Sequence, residues 1–288
     1  MNHILELENV SKQYKDGFLL DRVSFSLPYG SIMGFVGANG AGKTTTIGCI
    51  LNTLRKDGGV IRLFGQEMAD ADTALRERIG VVCDGDAFPA YLTPEKLGGI
   101  LQGTYARFDA ALYGAHLRAF GLPPRQRVGA LSKGMAMKLF IAAALAHHPE
   151  LLILDEATSG LDPIVRDEML DTFLDFVQDE KHAILMSSHI TSDLERVADY
   201  IAFIHAGRIL LTARKDDLIY RYGVLRCTAD QFAALDAGDI LAYRRRDYQT
   251  DVLVADREAA ARRYPGVLAE SAAIDEILLL LTKGERDR

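Results

Sequence analysis

The stretch "SIMGFVGANGAGKTTTIGCIL", Ser31–Leu51, reads as a strand, a glycine-rich loop and a helix, and it decides the fold class. Within it, Gly37 to Thr44 fits the pattern G-x-x-x-x-G-K-[ST] at every position. Glycines at 37, 40 and 42 let backbone N–H groups turn inward around phosphates, a curvature that side chains obstruct. Ala38, Asn39, Ala41 and Thr45 complete the run of candidate nucleotide contacts. Lys43 supplies a point charge to the outer phosphates, and the Thr44 hydroxyl is the expected magnesium ligand. The helix that follows adds its positive dipole end. A glycine turn that merely precedes a helix is the plainer reading. The apolar "IMGFV" and the complete Gly-Lys-Thr ending argue against it, though the motif alone leaves kinases, GTPases and ATPases open.

"ELLILDEATSGLDP", Glu150–Pro163, narrows the choice. Leu151 to Leu154 suits a buried parallel strand and ends in two acids. Carboxylates at the C-terminal end of such a strand stand at the mouth of an α/β sheet, where ligands bind. Asp155 is placed to hold magnesium through its water shell, and Glu156 to polarise an attacking water. "HAILMSSHI", His182–Ile190, gives a second buried strand ending in Ser188 and His189. A lone histidine is more often structural. If this strand runs parallel to the first, however, His189 emerges at the same sheet edge, within reach of a γ-phosphate. Asp162 and Pro163 make a capped helix start, continued by Ile164, Met169, Phe173 and Val177 near helical spacing. Strand and helix alternate, so a mostly parallel sheet covered by helices is predicted.

A second anion site is written at "LSKGM", Leu131–Met135, just ahead of the apolar run "AMKLFIAAALA". Serine and glycine there mark a helix N-terminus able to hold an anion.

Together these residues resemble the ATP-binding cassette (ABC) ATPases. "GANGAGKTT" looks like their Walker A, "LLILDE" their Walker B, "SGLD" with Asp162 their D-loop, and His189 their switch histidine. Tyr14 in "VSKQYKDG" matches the aromatic residue that stacks on adenine. "LSKGM" stands where the family signature, usually Leu-Ser-Gly-Gly-Gln, is found. Lys133 and Met135 replace the usual Gly and Gln, and similar Lys-Gly-Met signatures occur among bacterial exporter-type ATPases. The resemblance spans roughly residues 3–215. It implies a P-loop fold with a mostly parallel core, an antiparallel N-terminal subdomain and a helical subdomain at about 85–145. It also implies a head-to-tail dimer in which one subunit's signature closes over the ATP of the other. Ser132, Lys133, Gly134 and Met135 would then complete the γ-phosphate shell in trans, with the Ser132 hydroxyl and the Gly134 N–H as donors. "RIGVVCDGDAF" aligns with the family's Q-loop, and Asp84 stands where a magnesium-touching glutamine is usual.

The charge of −7 argues against a general nucleic-acid binder. Arg244 to Arg246 are flanked by Asp239 and Asp247 and read as a solvated face. Three scattered cysteines suit a reducing compartment rather than a disulfide framework or zinc site. The acids in "MNHILELENV" oppose a signal peptide, and apolar runs such as Leu139 to Ala146 fall short of the ~20 residues needed to span a bilayer. The expectation is a cytoplasmic protein, soluble by itself and peripheral on the inner face of the membrane. It would pair with an integral membrane permease and a second cassette, and use ATP and magnesium to power export. The rival readings are a soluble ABC ATPase of DNA repair or translation, and an ATP-dependent regulator without transport.

Two regions stay open. Phe88 and Tyr91 in "DAFPAYL" either dock a membrane subunit or fill the helical subdomain, whose first helix starts at Thr93-Pro94-Glu95. From 216 to 288, "GVLRCTA", "LAYRRRDY" and "TDVLVA" read as strands and "AAIDEILLLLTKGE" as an amphipathic helix, a small α/β appendage suited to dimerisation, regulation or capping the cassette.

Overall fold

The computed structural model describes residues 3–15, 17–68, 72–83, 85 and 88–285, so Asp84 lies outside the described residues. The chain begins with β1 (His3–Gln13) and β2 (Leu19–Pro28), then β3 (Ser31–Val36), which enters the phosphate loop and the helix Lys43–Ile50. β4 (Gly58–Leu63) and β5 (Gln66–Glu67) complete an antiparallel sheet of order β2-β1-β4-β5. The central sheet adds β6 (Ile79–Cys83), β7 (Leu151–Asp155), β8 (Ala183–Ser188), β9 (Tyr200–His205) and β10 (Arg208–Arg214). Its order is β10-β9-β3-β8-β7-β6, parallel throughout except for the edge strand β10.

Side-chain alternation explains how this sheet is covered on both faces. Met33, Phe35, Leu151, Ile153 and Leu185 point into a core shared with the antiparallel sheet and the phosphate-loop helix. Ile32, Val36, Leu152, Leu154 and Met186 point the other way, onto Met137, Phe140, Met169 and Phe173 of the helices Lys133–Leu145 and Pro163–Phe176. Each such large side chain contributes roughly 1.5–3 kcal/mol on burial. Ile164, grouped by spacing with that buried stripe, is instead 73% exposed in the first turn of its helix.

The predicted helical region holds Pro94–Thr104, Ala110–Ala119 and Lys133–Leu145, capped by Thr93, Asp109 and Ser132. They meet through Leu97, Leu101, Tyr113, Leu117 and Leu139. The structure separates the two aromatic residues that the sequence left together. Phe88 packs edge-on against Phe140, whereas Tyr91 is 72% exposed.

The expected boundary after residue 215 cuts the helix Lys215–Tyr220, whose first N–H donates to Asp199 O. The third sheet starts later, at β11 (Gly223–Cys227), followed by β12 (Ala242–Arg245), β13 (Thr250–Val254) and β14 (Leu268–Ser271) in antiparallel order β12-β13-β11-β14. Val224, Ala242 and Leu253 on one face join the main core, together with Ile274, Ile277 and Leu281 of the last helix, Ile274–Lys283. Leu225, Tyr243 and Val252 on the other face form a core of their own with Phe232. The appendage is therefore sealed onto the cassette. Arg245 and Arg246 are exposed, and Arg246 pairs with Asp251.

At the base of β6 and β7, Arg78 grips Glu150 with two bonds of 2.7 Å and lies 3.6 Å from the Phe64 ring centroid. The guanidinium holds the Glu150 carboxyl below its ordinary pKa of 4.5. Glu150→Gln should cost about 1–2 kcal/mol at neutral pH, the range for a partly exposed charged hydrogen bond. Because the folded-state pKa is depressed, the contribution is full above the ordinary value and is lost as pH falls through the depressed one. Thermal melts of both proteins should thus differ at pH 7 and converge in acid. A gap that stays constant into strong acid contradicts this role.

Candidate active site

Backbone crowding shapes the phosphate loop. A Cβ at Gly37 would stand 2.4 Å from the Ile204 carbonyl oxygen, so the loop can leave β3 only through glycine. Gly42 takes φ +113° and caps the helix that starts at Lys43. The Lys43 ammonium, 6% exposed, donates to Gly37 O at 2.6 Å and pairs with Glu156 Oε1 at 3.0 Å.

Next to it, Asp155 is buried at the tip of β7. Its Oδ2 accepts from the Thr44 hydroxyl at 2.9 Å and its Oδ1 from the Ser187 hydroxyl at 2.5 Å. Glu156 follows with φ +55°, a left-handed backbone that costs a non-glycine residue roughly 1–3 kcal/mol. Its N–H is held by the Ser187 hydroxyl and carbonyl at 3.1 and 3.2 Å. This turn points the carboxylate back over the loop. There Oε1 faces Lys43, and Oε2 meets His189 Nδ1 at 2.6 Å. β8 does run parallel to β7, which is why His189 arrives at the same edge.

In front of these groups lies an open cleft of about 540 Å³, lined by Tyr14, Phe18, Ala38, Asn39, Gly40, Gly42, Lys43, Thr44, Thr45 and Glu156. Ala41 is buried in the N-terminal core. The remaining candidates stand elsewhere. Ser132 caps its own helix, its hydroxyl accepting from Met135 N at 3.2 Å. Gly134 allows close packing, since a Cβ there would stand 3.2 Å from Val165. A Cβ at Gly160 would stand 3.2 Å from Lys133 Nζ, so Lys133 leans on the Ser159–Asp162 loop of its own chain. The Asp162 carboxylate accepts from the N–H groups of Ile164 and Val165. None of Ser132, Lys133, Gly134, Met135 or Asp162 lines the cleft. Asp84, the third candidate metal ligand, falls outside the described residues.

Two residues escaped the sequence reading. Phe18 lines the cleft beside Tyr14, their ring centroids 6.1 Å apart, because Tyr14 N donates to Phe18 O as the chain turns between β1 and β2. An aromatic residue four positions after Tyr14 was the available signal. Ser187 sits beside Asp155 in the parallel register of β7 and β8. A pair of serines closing an otherwise apolar strand was its signal.

The ABC transporter family model matches residues 20–159. The chain is 35% identical to the bacitracin transport ATP-binding protein BcrA of Bacillus licheniformis, covering 73% of this chain and 69% of that protein. It is 30% identical to the linearmycin resistance ATP-binding protein LnrL of Bacillus subtilis, covering 88% and 83%. A solved ATP-binding subunit of an ABC transporter superposes with a TM-score of 0.68 at 30% identity, over 75% of this chain and 91% of that one. Geometry and kinship agree: the chain belongs to the ABC transporter family, as one of its ATP-binding and ATP-hydrolysing subunits.

Proposed function

We propose that the chain drives export through a separate membrane permease, working as a head-to-tail pair with a second cassette, a copy of itself or a related ATPase subunit, at the inner face of the membrane. Relatives named for bacitracin transport and linearmycin resistance support the export reading over a soluble or purely regulatory role. Among the described residues no helix is long and apolar enough to cross a membrane. The single observation that carries the catalytic reading is Glu156, whose carboxylate bridges Lys43 and His189 beside the buried Asp155.

In this reading Tyr14 and Phe18 hold the adenine. The loop N–H groups from Gly37 to Thr45 cradle the phosphates, and Lys43 neutralises the outer ones. Thr44 and Asp155 present hard oxygen donors 2.9 Å apart, a set that fits magnesium. That ion, when bound, withdraws charge from the β- and γ-phosphate oxygens. Glu156 holds the attacking water and takes its proton as the water oxygen bonds to the γ-phosphorus and the bond to the β-bridging oxygen breaks. His189 steadies Glu156 and contacts the γ-phosphate. The signature helix end, Ser132 to Met135, stands outside the cleft of its own chain and is assigned to the partner's γ-phosphate.

Removing the charge of Glu156 while keeping its shape should slow hydrolysis by about 10²-fold or more. Glu156→Gln should also accumulate as a dimer with ATP and magnesium, because the trapped nucleotide joins the halves. Sizing by light scattering checks this, and a monomer at saturating ATP contradicts the composite site. Phe18→Ala should weaken nucleotide binding by roughly 2- to 10-fold, the worth of one aromatic contact. Titration with a fluorescent ATP analogue measures this loss, and unchanged affinity removes Phe18 from the adenine site. Finally, detergent extraction of the native complex should recover a hydrophobic subunit with the chain. Consistent recovery of the chain alone contradicts coupling to a permease.

A further inference from the structure

The short helix Thr191–Val197 begins two residues after His189, and Ile190 at its N-cap supplies no side-chain bond to it. Its anchors come from elsewhere. The Thr191 hydroxyl, buried within the fold, donates to Asp275 Oδ1 at 2.6 Å. In return, Glu195 Oε1 accepts from Ile274 N at 3.3 Å. Thus the first turn of the last helix in the chain and the first turns of the helix after His189 are tied by two bonds. Both bonds span about eighty residues of sequence. Beneath them Leu194 and Val197 share a core with Ile274, Ile277 and Leu281. From the helix that follows Asp162, Arg166 also bonds Asp193 and Ser192.

We propose that Asp275 of the C-terminal appendage is a positioning residue for hydrolysis, setting His189 against Glu156 through its bond to Thr191. This rests on the role given above to His189. The turn between them is tight, with Ile190 N donating to Ser188 Oγ at 2.9 Å, so a shift at Thr191 passes to His189 with little slack. His189 Nδ1 meets Glu156 Oε2 at 2.6 Å, a contact that a displacement of about 1 Å would break. The loop, Lys43 and Tyr14 are held by other elements, so nucleotide binding does not depend on this anchor. The appendage therefore acts on turnover and leaves alone the affinity for ADP, which lacks the γ-phosphate that His189 contacts.

The test compares full-length Asp275→Ala, Asp275→Asn, Thr191→Val and the Thr191→Val/Asp275→Ala double variant, with His189→Ala as reference. Asp275 is exposed, so its variants should fold, which melting curves verify. Expected is a fall in kcat of about 3- to 10-fold for Asp275→Ala and for Thr191→Val, the rate equivalent of one lost hydrogen bond of ordinary strength, at unchanged affinity for ADP. The double variant should be no slower than either single. Asp275→Asn should restore most of kcat, because its amide oxygen still accepts from Thr191. A purely structural bond would lower the melting temperature and leave kcat of the folded protein intact. Wild-type kcat in Asp275→Ala, with His189→Ala impaired, overturns the positioning role alone. If His189→Ala is itself unimpaired, the role of His189 falls and the proposal falls with it.

Discussion

The Asp155 carboxylate, buried and shared between the hydroxyls of Thr44 and Ser187, is the interaction on which the site depends. It joins the phosphate-loop helix to two central strands at a single acid. A buried carboxylate without such donors would be costly, so the two hydroxyls are a condition of its presence. Parallel register does the rest. Val36 pairs with Ser188, and Asp155 pairs with Ser187, so loop, acids and histidine leave the sheet at one edge. Glu156 turns through a left-handed backbone there and faces Lys43 instead of continuing away from the loop.

Much of this was legible in the sequence, for identifiable reasons. A short, fully apolar run ending in acids suits a strand buried on both faces of a parallel sheet, and Leu151–Asp155 behaves accordingly. Caps were equally plain: Thr93 before Pro94, Asp162 before Pro163 and Ser132 before Lys133 each bond the expected backbone N–H groups. What remained hidden is set by tertiary register. Ser187 matters because of the strand beside it, and Phe18 because a turn brings it back to Tyr14, so the serine and the aromatic residue stand in the sequence but their partners come only with the fold. Ile164 fits the helical stripe by number yet faces outward, while the adjacent Val165 packs against the core. β14 and the helices Ala229–Ala233 and Arg257–Arg263 are too short to leave a periodic trace.

The appendage shows the same limit. By sequence it was a small α/β appendage, suited to dimerisation, regulation or capping the cassette. In three dimensions one face of its sheet and its last helix complete the main core, while the other face closes over Phe232 and Tyr243. Alternation along β11 and β13 sends Val224 and Leu253 to the cassette and Leu225 and Val252 away from it. A region without catalytic side chains of its own is thereby joined to the segment that carries His189.

Within one chain the signature turn at Ser132 and the cleft at Lys43 are separate places, so hydrolysis by the proposed composite site needs two chains. Mixing two inactive proteins tests this most directly. Lys43→Ala lacks the phosphate-binding charge but keeps an intact signature, and Ser132→Glu places a repelling acid at the signature but keeps an intact loop. In a head-to-tail dimer the mixed pair holds one site built wholly from unaltered parts. The composite site requires that each variant alone be inactive and that the mixture regain ATPase activity in proportion to mixed dimer formed. A mixture no more active than its separate components would contradict it.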